Sequence, residues 1–215
     1  MRYYLAYGSN LNKAQMSFRC PHAKAVGTSE IKDYRLLYKG SQSGSYLTIE
    51  KKKGMCVPVA VWLVDERDEK NLDQYEGFPS FYYKKNMKLK AELYDGTAEE
   101  LECFVYIMHE KRPFGIPGEY YIERCKEGYD DFGFDKEVLD KALEDTRNEL
   151  EKGKEDCRVT GKVREQILAV RETGITNMFD TDAVQRIAFD FGYNELYFFI
   201  EEHKKEYCQF ILYGK

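Results

Sequence analysis

The chain has 215 residues, 43% of them hydrophobic and 33% charged, with a net charge of −5. That length holds one large domain or a medium domain with a small companion, and the composition is that of a folded globular chain. A net acidic balance is a poor match for general nucleic-acid or anionic-membrane binding, so neither is expected as a partner.

The longest apolar stretch, Val57 to Val64, contains a proline and is too short to span a bilayer. The N-terminus carries one arginine and no apolar signal core, so a cytoplasmic location is expected. Six cysteines are spread without a Cys-x-x-Cys pair, and none of the three histidines sits at ligand spacing from another. Reduced structural thiols and no metal site are the expectation.

In chain order, residues 2–6 read as a strand that breaks at Gly8-Ser9-Asn10 and feeds a short helix from Asn12 to Phe18. A strand ending in such a turn gathers backbone N–H groups in one concave corner, able to hold a carboxylate or a polarised carbonyl oxygen. Ala25 to Lys39 reads as one long or bent strand, followed by a turn at Gly40 to Gly44 and a strand from Tyr46 to Glu50. Lys51-Lys52-Lys53-Gly54 reads as a charged hairpin tip, and Cys56 to Asp65 as a buried central strand.

Glu66 to Tyr75 reads as a helix that Gly77 terminates, which leaves Glu76 at a helix end where a carboxylate can be aimed into a cavity. Strands are expected over Tyr82 to Leu93 and Leu101 to Met108, joined at Asp95-Gly96. A loop over Arg112 to Gly118 precedes a helix from Glu119 to Gly128. A second helix, capped by Asp135 and keeping helical spacing from Val138 to Leu150, is ended by Gly153. Lys152 to Asp156 reads as a charged linker, placing one domain at 1–152 and another at 157–215. Three helices are expected in the tail: Val163 to Arg171, one capped by Asp180 or Asp182 and running to Phe191, and Tyr193 to Lys205. Eight Lys/Arg against nine Asp/Glu from Cys157 onward disfavour a DNA-reading trio of helices. Tyr197, Phe198 and Tyr207 are expected on the surface, available to pack on the first domain or to join a second copy in a homo-oligomer.

Two segments carry chemistry. Tyr7-Gly8-Ser9-Asn10-Leu11 and the later Leu72-Asp73-Gln74-Tyr75-Glu76-Gly77, followed by Tyr82-Tyr83-Lys84, together resemble the gamma-glutamylcyclotransferase-like family. With Gly27, Tyr34 and Pro117 the resemblance covers about the first 150 residues. It implies an α+β fold: a mixed, curved small β-barrel with flanking helices, to which the tail adds a short all-helical domain. The tail itself resembles small uncharacterised helical domains.

The resemblance also implies an activity, cleavage of a γ-glutamyl amide by attack of its own α-amine on the γ-carbonyl, releasing 5-oxoproline and a free amine. No metal, nucleotide or redox cofactor is implied; the partner is a small γ-glutamyl substrate. Glu76 is the implied proton shuttle, and Tyr7, Gly8, Ser9, Asn10 and Leu11 form the implied substrate loop. Tyr82 or Tyr83 is expected to line the pocket, one inward and one outward; the family's spacing favours Tyr83 and leaves the register open. Tyr121 or its neighbour Tyr120 is a further candidate, and Arg19, Arg35 and Lys84 are candidate partners for a substrate carboxylate, each readily a surface charge instead. Two other readings stand beside this one. One is a silent relative working as a scaffold through its C-terminal helices. The other is a related enzyme that removes a γ-glutamyl group in a biosynthetic pathway.

Overall fold

Alternating apolar residues build five strands in the computed structural model, which describes residues 1–41, 44–156, 159 and 161–213. They are β1 (Arg2–Ala6), β2 (Lys24–Ser41), β3 (Gly44–Val64), β4 (Tyr82–Leu93) and β5 (Ala98–Met108), closed into a barrel in the order β1-β3-β2-β4-β5. β1 lies between β3 and β5, with Leu5 opposite Val61 in the antiparallel pairing and opposite Val105 in the parallel one. Flanked on both sides, Tyr4, Leu5 and Ala6 are buried, and each apolar side chain so covered contributes about 1.5–3 kcal/mol. The fold is α+β, as the sequence resemblance implied.

The lysine run departs from expectation. β3 passes through Lys51–Gly54 without turning, and the pairing with β2 slips there from Tyr34 opposite Lys51 to Lys32 opposite Cys56. Asp33 (φ 60°) and Gly54 (φ 82°) absorb the extra residues, and the Gly54 N–H donates to Asp33 Oδ1 at 2.8 Å. The run is an irregularity within a long hairpin, not its tip. Residues 42–43 of the expected Gly40–Gly44 turn lie outside the described residues.

Around the barrel run α1 (Lys13–Arg19), α2 (Glu66–Glu76), α3 (Glu119–Phe132) and α4 (Glu137–Asp156), with a 3₁₀ turn at Ser9–Leu11. α3 continues past Gly128, because that glycine is where the helix meets the 3₁₀ turn. A Cβ there would stand 2.6 Å from the Asn12 backbone N and 2.7 Å from Leu11 Cβ. α4 is tied to β2 by the Thr146 hydroxyl, which accepts from the Tyr38 N–H at 2.9 Å. It is also tied by Arg35, which pairs with Glu149 and Glu50. α4 runs through Asp156, where a linker was expected; one glycine costs a helix about 1 kcal/mol, and the surrounding Glu and Lys are good helix formers.

The chain divides into two compact units, Met1–Leu150 and Glu151–Lys215. The second holds α5 (Gly161–Thr173), α6 (Thr181–Asp190), α7 (Asn194–Glu202) and α8 (Lys204–Tyr213) around Ile167, Val170, Val184, Leu196 and Ile200. Asp180 caps α6, its Oδ1 accepting from the Ala183 N–H. The expected third helix is two, because His203 leaves helical geometry (φ −132°, ψ 43°). Tyr207, expected on the surface, is fully buried on α8 and donates to the Met178 carbonyl at 2.7 Å, whereas Phe198 is exposed. Among the described residues no helix is long and apolar enough to cross a membrane.

Candidate active site

The site is assembled by two chain reversals. After β1, Gly8 opens the 3₁₀ turn, whose own hydrogen bonds run from the Leu11 and Asn12 N–H groups to the Gly8 and Ser9 carbonyls. The N–H groups of Gly8, Ser9 and Asn10 fall outside that pattern, as the first donors of any helical turn do. Asn12 closes the corner by capping α1 through the Gln15 N–H and by donating to Glu127 of α3.

The second reversal ends α2. Asp65 starts this helix, accepting from the Arg67 and Asp68 N–H groups, with Glu66, Asp68 and Glu69 favourably placed in its first turn. Leu72 anchors it in the core. Gly77, left-handed at φ 63°, returns its N–H to Asp73 and Gln74 and stops the helix one residue after Glu76. Glu76 therefore lies against the first loop, where Asn10 Nδ2 donates to its Oε1 at 2.8 Å.

Between the two reversals lies a cavity of about 380 Å³, within the range typical of small-molecule sites. Tyr7, Gly8, Ser9, Asn10, Glu76, Tyr82 and Tyr121 all line it. Leu11 does not; it is wholly buried beneath the turn, against Gly128. Tyr83 does not either. It points the other way, its hydroxyl donating to Glu110 and its ring 5.4 Å from His109, because the strand pleat puts neighbours on opposite faces. The inward member of the pair is Tyr82. Tyr120 is exposed and Tyr121 is the inward neighbour.

None of the three candidate cations lines the cavity. Arg35 pairs with Glu50 and Glu149, and Lys84 with Glu69 and Asp73. Arg19 does not line the cavity but lies behind it, bonded to Asn10 and stacked over the Tyr75 ring at 3.7 Å. Sequence reasoning missed Tyr4, Tyr46, Leu47, Tyr75, Phe81 and Tyr106, which with Gly77 complete the wall. Tyr75 was legible as the neighbour of Glu76; Tyr106 needed the cross-strand register.

The wall is held rigid by its own hydroxyls. Tyr7 donates to the Tyr106 carbonyl at 2.6 Å, Tyr82 to the Leu47 carbonyl at 2.8 Å, and Tyr106 to Asp73 at 2.6 Å. Burial, followed by the nearby Glu76 charge, keeps Tyr4 and Tyr7 well above the usual phenol range. Burial also pushes the Glu76 carboxyl up to about 7, against the opposing pull of Arg19 and the Asn10 hydrogen bond. A carboxyl poised near neutrality both takes and gives a proton.

A possible metal-ligand group lies outside the cavity and escaped sequence spacing. His22 Nδ1 is 3.8 Å from Asp65 Oδ2 and 3.6 Å from Asp68 Oδ1. Asp65 Oδ1 already caps α2, and Asp68 Oδ1 accepts from the His22 N–H at 3.5 Å. The trio joins the turn after α1 to the start of α2.

Comparison with known proteins agrees with this architecture. The family model described as gamma-glutamyl cyclotransferase, AIG2-like, matches residues 4–123, and a domain of unknown function matches residues 159–215. The chain belongs to the gamma-glutamyl cyclotransferase, AIG2-like family. A gamma-glutamylcyclotransferase of Homo sapiens is 28% identical over 182 residues, covering 80% of this chain and 89% of that protein. A gamma-glutamylaminecyclotransferase of Rattus norvegicus is 28% identical over 79 residues, 35% of this chain and 53% of that protein. A solved gamma-glutamyl cyclotransferase superposes with a TM-score of 0.54 at 26% identity, over 66% of this chain and 85% of that one.

Proposed function

We propose that the chain is a cyclotransferase that cleaves a small γ-glutamyl amide into 5-oxoproline and a free amine, with Glu76 as the proton shuttle. One observation carries the reading: a carboxyl held near neutrality and bonded to Asn10 lines a cavity of fitting size together with the Gly8–Asn10 turn. The substrate's α-amine and γ-carbonyl belong to one molecule, so holding the glutamyl chain folded supplies a large effective molarity.

Glu76 takes a proton from the α-ammonium group. The neutral amine adds to the γ-carbonyl carbon, and the carbonyl oxygen gains charge facing the Gly8–Asn10 N–H groups. Glu76 delivers that proton to the leaving nitrogen as the tetrahedral intermediate collapses and its C–N bond breaks, then takes the second proton from the attacking nitrogen, which leaves a neutral lactam, and passes it to the departing amine. Every atom and proton is accounted for by substrate and side chain. Tyr82, Tyr106 and Tyr121 exclude water and confine the folded chain. The leaving group would extend past Tyr46 and Tyr75, the exposed aromatic residues of the lining.

The test is 5-oxoproline release from a panel of γ-glutamyl amines and γ-glutamyl amino acids. Wild type should turn over at least one member, and Glu76→Gln should not. A folded wild type that releases no 5-oxoproline from any of them sinks the reading.

A further inference from the structure

The feature that the proposed reaction leaves unused is the chain of contacts behind Glu76. Arg19 NH1 donates to Asn10 Oδ1 at 2.6 Å, and Asn10 Nδ2 donates to both Tyr4 Oη and Glu76 Oε1 at 2.8 Å. An asparagine amide has two ends of nearly equal shape, and the wrong end would set an oxygen lone pair against the carboxylate. Arginine carries donors and no acceptor, so whichever end of Asn10 faces Arg19 must be the oxygen. The amide N–H₂ is then obliged to face Glu76, and both its protons are used.

Arg19 is itself immobilised. NH2 donates to Gln15 Oε1 at 2.6 Å, the guanidinium lies 3.7 Å above the Tyr75 ring, and the Arg19 carbonyl accepts from Asn71 Nδ2 at 3.0 Å. Gln15 belongs to α1, whereas Asn71, Tyr75 and Glu76 belong to α2. The guanidinium therefore joins the helix after the first loop to the helix that carries the carboxylate.

We propose that Arg19 is a positioning residue: its planar fork locks the Asn10 amide in the orientation that holds Glu76 as a proton shuttle. The kinetic part rests on the cyclotransferase reading; the geometric part does not. The groups around the carboxyl allow the effect to be read from pH dependence. Tyr4 and Tyr7 face it from β1 and its loop, Tyr82 from β4 and Tyr106 from β5. All four phenols are pushed up by burial and stay neutral through the working range. On α2, Asp73 is balanced by Lys84 and by the Tyr106 hydroxyl. Arg19 is the cation that acts on Glu76, and it favours the ionised form.

The experiment titrates the Glu76 carboxyl by ¹³C NMR in the full chain and measures pH–rate profiles with a γ-glutamyl substrate. Arg19→Met keeps an unbranched stem over Tyr75 and removes the fork and charge. Its Glu76 titration and the acid limb of its profile should both move up by about one pH unit. Its kcat should fall roughly 10- to 100-fold with KM little changed, because the amide is free to turn. Arg19→Lys should bring the titration back towards wild type but recover kcat only in part, since an ammonium does not reproduce the planar fork. If the methionine variant does not fold, Arg19→Gln, which keeps a donor and loses the charge, should show the same titration shift.

An unmoved Glu76 titration in the uncharged variants overturns the proposal whatever the turnover. So does a fall in kcat that tracks the folded fraction and leaves the pH profile in place. A shifted titration in a protein whose wild type makes no 5-oxoproline would fail the reaction and retain the Arg19–Asn10–Glu76 geometry.

Discussion

The barrel unit and the helical unit place a carboxylate in opposite surroundings. In the barrel, burial lifts Glu76 to about 7 inside a ring of tyrosines whose hydroxyls are tied to the frame. In the helical unit, Glu195 stands in solvent at the start of α7, and the hydrogen bonds from Lys162 and Gln166 hold it down to about 2. The barrel turns Tyr4, Tyr7, Tyr82 and Tyr106 inward around a cavity, whereas the helical unit buries Tyr207 in its core and leaves Phe189, Phe191 and Phe198 facing outward. The same side chain is thus held near neutrality in one unit and is a surface ion-pair member in the other, and enclosure makes the difference.

Four substitutions break or sharpen that contrast. The largest effect is expected at Glu76. Glu76→Gln should lower 5-oxoproline formation by about 10²–10⁴-fold while the protein stays folded. The same change tests the enclosure itself. A carboxyl raised from 4.5 to about 7 retains its proton in the folded state after the unfolded chain has lost it, so its contribution to stability falls between those values as pH rises. Glu76→Gln should therefore be more stable than wild type at pH 8, by about 1–3 kcal/mol, and the gap should close by pH 4. Denaturant melts at the two pH values decide it.

Ile167→Ala should open a cavity in the helical core and cost about 2–5 kcal/mol there. Turnover per folded barrel should not change, because the cavity proposed as the active site is lined by residues of the first unit. Thermal melts alongside 5-oxoproline assays separate the two effects. Gly128→Ala tests the close approach beneath the substrate turn. The new methyl must displace the Leu11–Asn12 backbone, at about 1–3 kcal/mol, and turnover should fall with it. The smallest effect belongs to Glu195→Gln. A depressed carboxyl contributes stability above its unfolded value and loses it as pH falls through about 2. Wild type and variant should therefore melt slightly apart at pH 6 and together at the acid end, an ordering that differential scanning calorimetry resolves.

Part of this architecture was legible one residue at a time. Gly77 after Glu76 marks a helix stop whatever the fold, and Asp180 announces a helix start through its own side chain. Such signals are local, which is why they survive without the fold. The lysine run misled for the complementary reason. A glycine beside three charges has the composition of a turn, and only Asp33 on the facing strand shows that it is an irregularity in a continuing hairpin. The break at His203 and the burial of Tyr207 were likewise decided by what α8 packs against.

By itself, then, the sequence determined the kinds of element, the order of the two motifs and the presence of a carboxylate at a helix end. Tertiary structure alone decided that Tyr82 and not Tyr83 meets the cavity, because strand parity has meaning only once the β4–β5 register is set. It also decided that Arg19 holds Asn10 and that Glu76 is enclosed. Those properties depend on residues from different elements arriving at one place, and desolvation is a property of the place.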